Sequence, residues 1–204
     1  AGVAGLTAIA TAKRLGAMVE AYDVRRAAGE QVRSLGAKFL ELEINAESEG
    51  GYARELTPEE KVKEQQMVSA AVARADIVIT TASIPGRKAP VLITKETVAT
   101  MHPGAVIVDL AAESGGNCEL TQSGKTVKEH GVTIVGPQNL PARVAFHASQ
   151  MYARNLQSFL SLLINEGGAL TREFTDEILA ASLLVSAGEV RHQPTLDLIR
   201  GGRL

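Results

Sequence analysis

The first five residues carry more recognisable chemistry than any other stretch of the chain. Ala1-Gly2-Val3-Ala4-Gly5 has glycines three positions apart, and they fit the second and third glycines of a G-x-G-x-x-G phosphate-binding turn. In such a turn one glycine lets the backbone approach a pyrophosphate. The next lets a helix pack close to a strand, and the helix N-terminus offers unpaired N–H groups to the anion. Asp23 stands 18 residues past Gly5, where a carboxylate would bind the adenosine ribose of a dinucleotide. Val3 and Ala4 inside the turn, with Val24 and Arg25 beside Asp23, complete this first set of candidate cofactor contacts. The first glycine and the strand before it would lie ahead of residue 1. The expectation is therefore an N-terminally truncated fragment of a longer polypeptide.

Two arginines follow the acid. Basic residues at this point can accommodate the 2′-phosphate of NADP, but a carboxylate placed for the 2′-hydroxyl would repel that phosphate. Asp23 thus favours NAD, and Arg25 and Arg26 read as a solvated first helical turn. Asp109 and Glu113 sit at or just past the end of a β-branched run and are candidates for acid–base work. Burial of Asp109 on backbone amides is the competing reading. Cys118 lies in a glycine-rich turn with no feature that would lower its pKa, so it reads as structural. The four histidines have no metal-ligand spacing. Beside the nucleotide site, the sequence offers no convincing proton-transfer machinery.

The elements that must position these residues alternate. Leu6 to Leu15 is an Ala-rich helix stopped by Gly16-Ala17, and Met18 to Asp23 is a short strand. A helix from Arg25 to Leu35 and a strand from Lys38 to Leu42 follow. The stretch Glu43 to Thr57 has no sustained period and carries Gly50-Gly51-Tyr52, an aromatic on a flexible tip. Thr57-Pro58-Glu59-Glu60 is a helix start, and that helix should run to about Arg74. Strands are expected over 75–80, 105–110 and 132–135, with a helix over 94–101. The segment 81–86 and the turn Glu113 to Asn117 then fall at strand carboxyl ends, the ligand edge of an open α/β sheet. The expected fold is α/β, a doubly wound parallel sheet over residues 1–140. Residues 141–204 supply a long helix, broken near its start, a hairpin around Ser186-Ala187-Gly188 and a terminal arm from Gln193.

Composition narrows the classes. Hydrophobic residues make up 45% of the 204 and aromatics only 3%, so the core must be aliphatic. A net charge of −2 gives no reason to expect nucleic acid. One cysteine excludes an internal disulfide framework. No apolar run approaches the ~18–20 residues needed to span a bilayer, which makes a soluble chain the expectation.

Read together, Ala1-Gly2-Val3-Ala4-Gly5-Leu6, Tyr22-Asp23-Val24-Arg25, Gly50-Gly51-Tyr52-Ala53, Ile79 to Gly86, Ala89 to Thr94 and Val108 to Cys118 follow one another in order. The series resembles the NAD(H)-binding, Rossmann-like domain of the α subunit of proton-translocating NAD(P) transhydrogenase, in the alanine dehydrogenase/transhydrogenase family. The resemblance covers nearly the whole chain. It implies an oxidoreductase component that binds NAD(H) and passes hydride to NADP(H) on a partner domain, with proton translocation in a membrane domain. It also implies a homodimer, peripheral on the cytoplasmic side of the inner membrane, whose residues 141–204 belong partly to an adjoining second α/β domain.

By the same resemblance, Gly2 and Gly5 match the pyrophosphate turn, Asp23 the ribose acid, and Gly51 and Tyr52 a loop that closes over nucleotide. Ala82, Ser83 and Ile84 match a segment against the cofactor, with Ser83 where leucine is expected. Asn139 matches a loop near the nicotinamide side, and Glu113 and Asn117, beside and in the Gly-Gly-Asn-Cys turn, are further candidate cofactor contacts. An N-terminal segment that contributes to the family's hydride-transfer site is absent from this sequence, so the chain alone is not expected to be a competent enzyme. The alternative is an alanine dehydrogenase-type oxidoreductase. That branch carries Asp-Gln-Gly-Gly where this chain has Glu113-Ser114-Gly115-Gly116. A non-catalytic NAD-binding module is the third reading.

Overall fold

Glycine decides where the first helices stop. In the computed structural model, which describes residues 1–41, 57–84, 86–165, 167–171 and 173–201, α1 spans Val3–Arg14 and α2 spans Ala28–Ser34. Gly16 follows α1 at φ +87° and Gly36 follows α2 at φ +78°, a left-handed conformation that only glycine adopts without strain. Each closes the same pair of bonds. Ala17 N–H donates to Ala12 O and Gly16 N–H to Lys13 O, and the pattern repeats with Ala37 on Val32 and Gly36 on Arg33. Between and after these helices run β1 (Glu20–Ala21) and β2 (Lys38–Phe39), paired in parallel.

The Thr57 start forms as expected, with α3 spanning Pro58–Ala73. Thr57 Oγ1 accepts from Glu60 N–H, and Thr57 N–H donates to the Glu60 carboxylate at 2.8 Å, a reciprocal cap. Beyond it lie β3 (Ile77–Thr80), α4 (Lys95–Thr100), β4 (Val106–Asp109), β5 (Thr126–Glu129) and β6 (Val132–Val135). These strands make a four-stranded sheet in the order β3-β4-β6-β5. The β3–β4 and β4–β6 pairs are parallel, and β5 runs antiparallel to β6.

β5 adds one antiparallel strand to the expected parallel sheet. His130 (φ +52°) and Gly131 (φ +81°) make a two-residue reversal that folds β5 back on β6. The strand's only strong β former besides Thr126 is Val127, so its pattern is too weak to stand out in the sequence.

Period 2 places the core. Ile107 on β4 and Val132 and Ile134 on β6 are fully buried and pack with Val68 and Val72 of α3, Val98 of α4 and Met101 just after it. Each fully buried Ile contributes about 1.5–3 kcal/mol. A second cluster joins Ile9 of α1, Val32 of α2, Ala37 and Phe39. Among the described residues Phe39 is the only buried aromatic, so the packing is aliphatic as the composition requires.

The chain divides into two compact units, Ala1–Asn139 and Leu140–Leu204. The second holds α5 (Leu140–Arg143), α6 (Ala145–Leu163), α7 (Glu177–Ser182), β7 (Val185–Ser186), β8 (Glu189–Val190) and α8 (Gln193–Arg200). The break between α5 and α6 and the β7–β8 hairpin agree with the sequence reading. The terminal arm does not, because residues 193–200 are helical, with Pro194 in the first turn. Among the described residues, no helix is long and apolar enough to cross a membrane.

Candidate functional site

Parallel strands put their carboxyl ends on one edge, and the loops that leave them gather the candidate residues of the first unit. α1 begins beside that edge. Gly2 is its N-cap and offers no side-chain acceptor, and no acidic residue occupies the first turn. The opening N–H groups of α1 therefore lack a carboxylate or hydroxyl cap, which suits an anion. The two glycines have different neighbours. A Cβ on Gly5 would lie 3.2 Å from Thr81 Oγ1, so this glycine lets α1 close on the segment leaving β3. A Cβ on Gly2 would meet nothing within 4 Å. The surrounding protein thus makes no steric demand for glycine at Gly2. Val3 and Ala4 are exposed beside it.

Asp23, two residues past β1, lies at the start of α1. Its Oδ2 accepts from the Ala1 ammonium at 2.6 Å and from Arg25 Nη2 at 2.9 Å. Its Oδ1 accepts from Arg25 N–H and Arg25 Nε–H, each at 2.9 Å. Burial alone would raise this carboxyl, but the donors from Arg25 and the Ala1 ammonium outweigh it and bring it down to about 2. Arg25 is thus half-buried in a two-pronged ion pair rather than the solvated residue expected from sequence, whereas Arg26 is exposed. Tyr22, just before, donates its hydroxyl to Glu64 of α3 at 2.8 Å. Burial and that carboxylate push the phenol up.

The segment leaving β3 is held from behind. Asn117 accepts from Ala82 N–H at 3.0 Å and donates to Ala82 O and Pro90 O, both at 2.8 Å. Asn117 is fully buried. Its side chain has no exposed surface, and what it does is fix the backbone that presents Ser83 and Ile84. Both of those are exposed.

Asp109 has no acid–base role that this geometry supports. It is fully buried and accepts from Thr80 Oγ1, Ala111 N–H, Asn117 N–H, Cys118 N–H and Thr121 Oγ1. The loop must pass close for this to work. A Cβ on Gly116 would lie 2.9 Å from Asp109 Oδ2. Cys118 is buried among these groups, and burial pushes its thiol up, which makes it a packing residue. Glu113 is exposed and accepts weakly from Asn139 N–H at 3.3 Å, bringing together the turns after β4 and β6. Gly51 and Tyr52 lie outside the described residues.

Sequence reasoning missed two features, the Arg25 grip on Asp23 and the Asn117 brace. The first is local and was legible as an Asp-x-Arg spacing. The second joins residues 35 apart, which no local signal marks.

Residues 1–193 match the family described as alanine dehydrogenase/PNT, C-terminal domain. The chain is 49% identical over 196 residues to the first part of an NAD(P) transhydrogenase subunit alpha from Rhodospirillum rubrum, an alignment covering 94% of the chain and 51% of the relative. A crystal structure of transhydrogenase from Sinorhizobium meliloti superposes with a TM-score of 0.75 at 49% identity, covering 93% of this chain and 50% of that one. A structure titled L-alanine dehydrogenase gives a TM-score of 0.73 at 27% identity, covering 98% of this chain and 51% of that one. The chain thus spans about half the length of these proteins.

Proposed function

The chain belongs to the alanine dehydrogenase/PNT family, whose proteins are oxidoreductases, and from that premise we propose that it is the NAD(H)-binding portion of a proton-translocating NAD(P) transhydrogenase. The observation that carries the reading is the convergence at one edge of an uncapped helix start, an open Gly2, an ionised Asp23 and the braced segment at Ala82–Ile84. These groups suit the sections of a dinucleotide in turn. The N–H groups of Val3, Ala4 and Gly5 face the pyrophosphate, Asp23 takes the adenosine ribose with Val24 and Arg25 beside it, and Ser83 and Ile84 flank the remainder. Glu113 and Asn139 border the nicotinamide end, and the family resemblance adds Gly51 and Tyr52 to the nucleotide contacts.

When bound, NADH supplies the hydride, and NADP(H) on a partner domain receives it. The chain's own residues have little covalent work to do. They bind, orient and exclude water, because direct transfer between two nicotinamides depends on alignment more than on a general base. Burial of Asp109, the leading acid–base candidate in the sequence, supports that division of labour. Homodimer formation, a membrane domain that couples the transfer to protons, and a peripheral position at the cytoplasmic face of the inner membrane belong to the same proposal. So does assignment of residues 141–204 to a connecting helix and an adjoining domain.

The test mixes the full-length polypeptide with an NADP-loaded partner domain and follows hydride exchange by absorbance. Exchange between nicotinamides is the expected result. Alanine oxidation without exchange would move the chain to the alanine dehydrogenase branch, whose fold it shares at nearly equal TM-score. NADH binding with neither reaction would leave a non-catalytic module.

A further inference from the structure

We propose that the Asp23–Arg25 ion pair sets the nucleotide preference of this site, because Asp23 commits the Arg25 guanidinium so that this cation does not serve a 2′-phosphate. The inference rests on the NAD(H) reading above and adds to the ribose acid the cation that it holds out of reach.

The geometry is a near-complete count. A carboxylate offers about four acceptor positions. At Asp23 three are taken by Arg25 alone, through its N–H and Nε–H on Oδ1 and its Nη2 on Oδ2. The Nε and Nη2 contacts, both at 2.9 Å, form the planar two-pronged pairing in which arginine binds carboxylates most tightly.

A ribose diol reaches Asp23 at the remaining acceptor position, or by displacing one of these donors. The guanidinium, about a third exposed, can move aside, whereas the backbone N–H cannot. A 2′-phosphate offers no such exchange. It has no hydroxyl to donate and it meets the carboxylate as a like charge, while the neighbouring arginine is already neutralised by that carboxylate. Asp23 and Arg25 therefore discriminate as a pair. The acid repels the phosphate, and its ion pair removes the arginine that would otherwise welcome it. Arg26, exposed and outside the pair, is not the determinant.

The experiment titrates NADH and NADPH against the full-length polypeptide and its D23N, R25Q and D23N/R25Q variants, with thermal melts to verify folding. Asp23→Asn replaces the second carboxylate oxygen by an amide donor and so uncouples Arg25. NADH affinity should fall roughly tenfold or more and NADPH affinity should rise roughly tenfold, the scale of a charge-assisted hydrogen bond. Adding Arg25→Gln should return NADPH affinity to the wild-type level, and R25Q alone should show no NADPH gain.

An NADPH gain that survives in the double variant overturns the proposal. So does a loss of NADH affinity in D23N with no NADPH gain, which would leave Asp23 its ribose role. Wild-type protein that binds neither nucleotide removes the underlying reading, and this inference with it. A second measurement needs no ligand. The Arg25 Nε–H proton should exchange slowly with water in the wild type and quickly in D23N, and fast exchange in the wild type overturns the proposal directly.

Discussion

Asp23 and Asp109 look alike in the sequence: each follows a short β-rich run and precedes an aliphatic residue. The fold gives them opposite work. Asp109 is reached by three backbone N–H groups and two threonine hydroxyls from the loop it organises and the strand beside it, and it has no exposed surface. Asp23 is held mainly by one neighbouring arginine whose side chain can leave. A carboxylate satisfied by immobile backbone is a structural post. One satisfied by a displaceable side chain can exchange that donor for a ligand. Charge and strand position do not separate the two; the identity of the donors does.

The strongest way to break this comparison is to remove the post. Asp109→Ala leaves three N–H groups unpaired in the interior, and it should cost about 3–5 kcal/mol, read as a shift in the denaturant midpoint. Asp109→Asn should cost nearly as much, because its amide turns a donor toward N–H donors. Asp23→Asn should be far milder for the fold. If the two substitutions destabilise equally, the distinction is wrong.

Next is the brace. Asn117→Leu deletes three hydrogen bonds that tie Ala82 and Pro90 to the turn after β4. About 2–3 kcal/mol of stability should be lost. NADH affinity should fall as well, although Asn117 itself has no surface to meet a ligand. Unchanged affinity in a folded variant would show that Ala82–Ile84 does not belong to the site.

These two regions also mark how far the sequence could be read. The glycine stops after α1 and α2, the Thr57 cap and the β-branched strands are local signals, and each was legible because its partners lie within a few residues. Asp23 was picked out by spacing, and its ribose role is what the titrations test. What stayed hidden depended on contacts at long range or on weak patterns. The five donors on Asp109 come from four separate positions along the loop and a neighbouring strand, so the sequence left its burial and its acid–base role as open alternatives. The β5 strand holds its place by pairing with β6, while its own residues state little preference. α8 is short, and its one clear mark is a proline in the first turn.

The third prediction uses acid to separate the carboxylates without mutating the post. Asp23 has a folded-state pKa of about 2 against an ordinary 3.8. A lowered value means that the ionised form stabilises the fold. That contribution is fully present above the unfolded value and is lost as pH falls from about 4 toward 2. It amounts to ~2 kcal/mol. Stability measured against pH should therefore drop across that window in the wild type. The Asp23→Asn variant should lack this share of the drop. In Arg25→Gln the drop should be smaller and should end at higher pH, since the main force lowering the folded-state carboxyl is gone. An identical acid limb in wild type and Asp23→Asn would mean that Arg25 does not hold Asp23 in solution.

The smallest effect on the fold is the most telling about the site. Gly5→Ala brings a Cβ to 3.2 Å from Thr81 Oγ1, a contact that a small rotation of the threonine relieves. A helical alanine also recovers about 0.5–1 kcal/mol of backbone entropy, so its net effect on stability should lie within about 1 kcal/mol of zero. Gly2→Ala should be equally mild, because its φ of −77° suits any residue and the added methyl meets nothing within 4 Å. Neither backbone conformation nor the surrounding protein requires glycine at Gly2. If glycine is required there, the reason is something that approaches from outside. Gly2→Ala should therefore melt like the wild type while binding NADH more weakly, by roughly tenfold for a methyl pressed between backbone and pyrophosphate. A Gly2→Ala protein with wild-type affinity would place the pyrophosphate elsewhere along the edge, and the comparison would then rest on Asp23 alone.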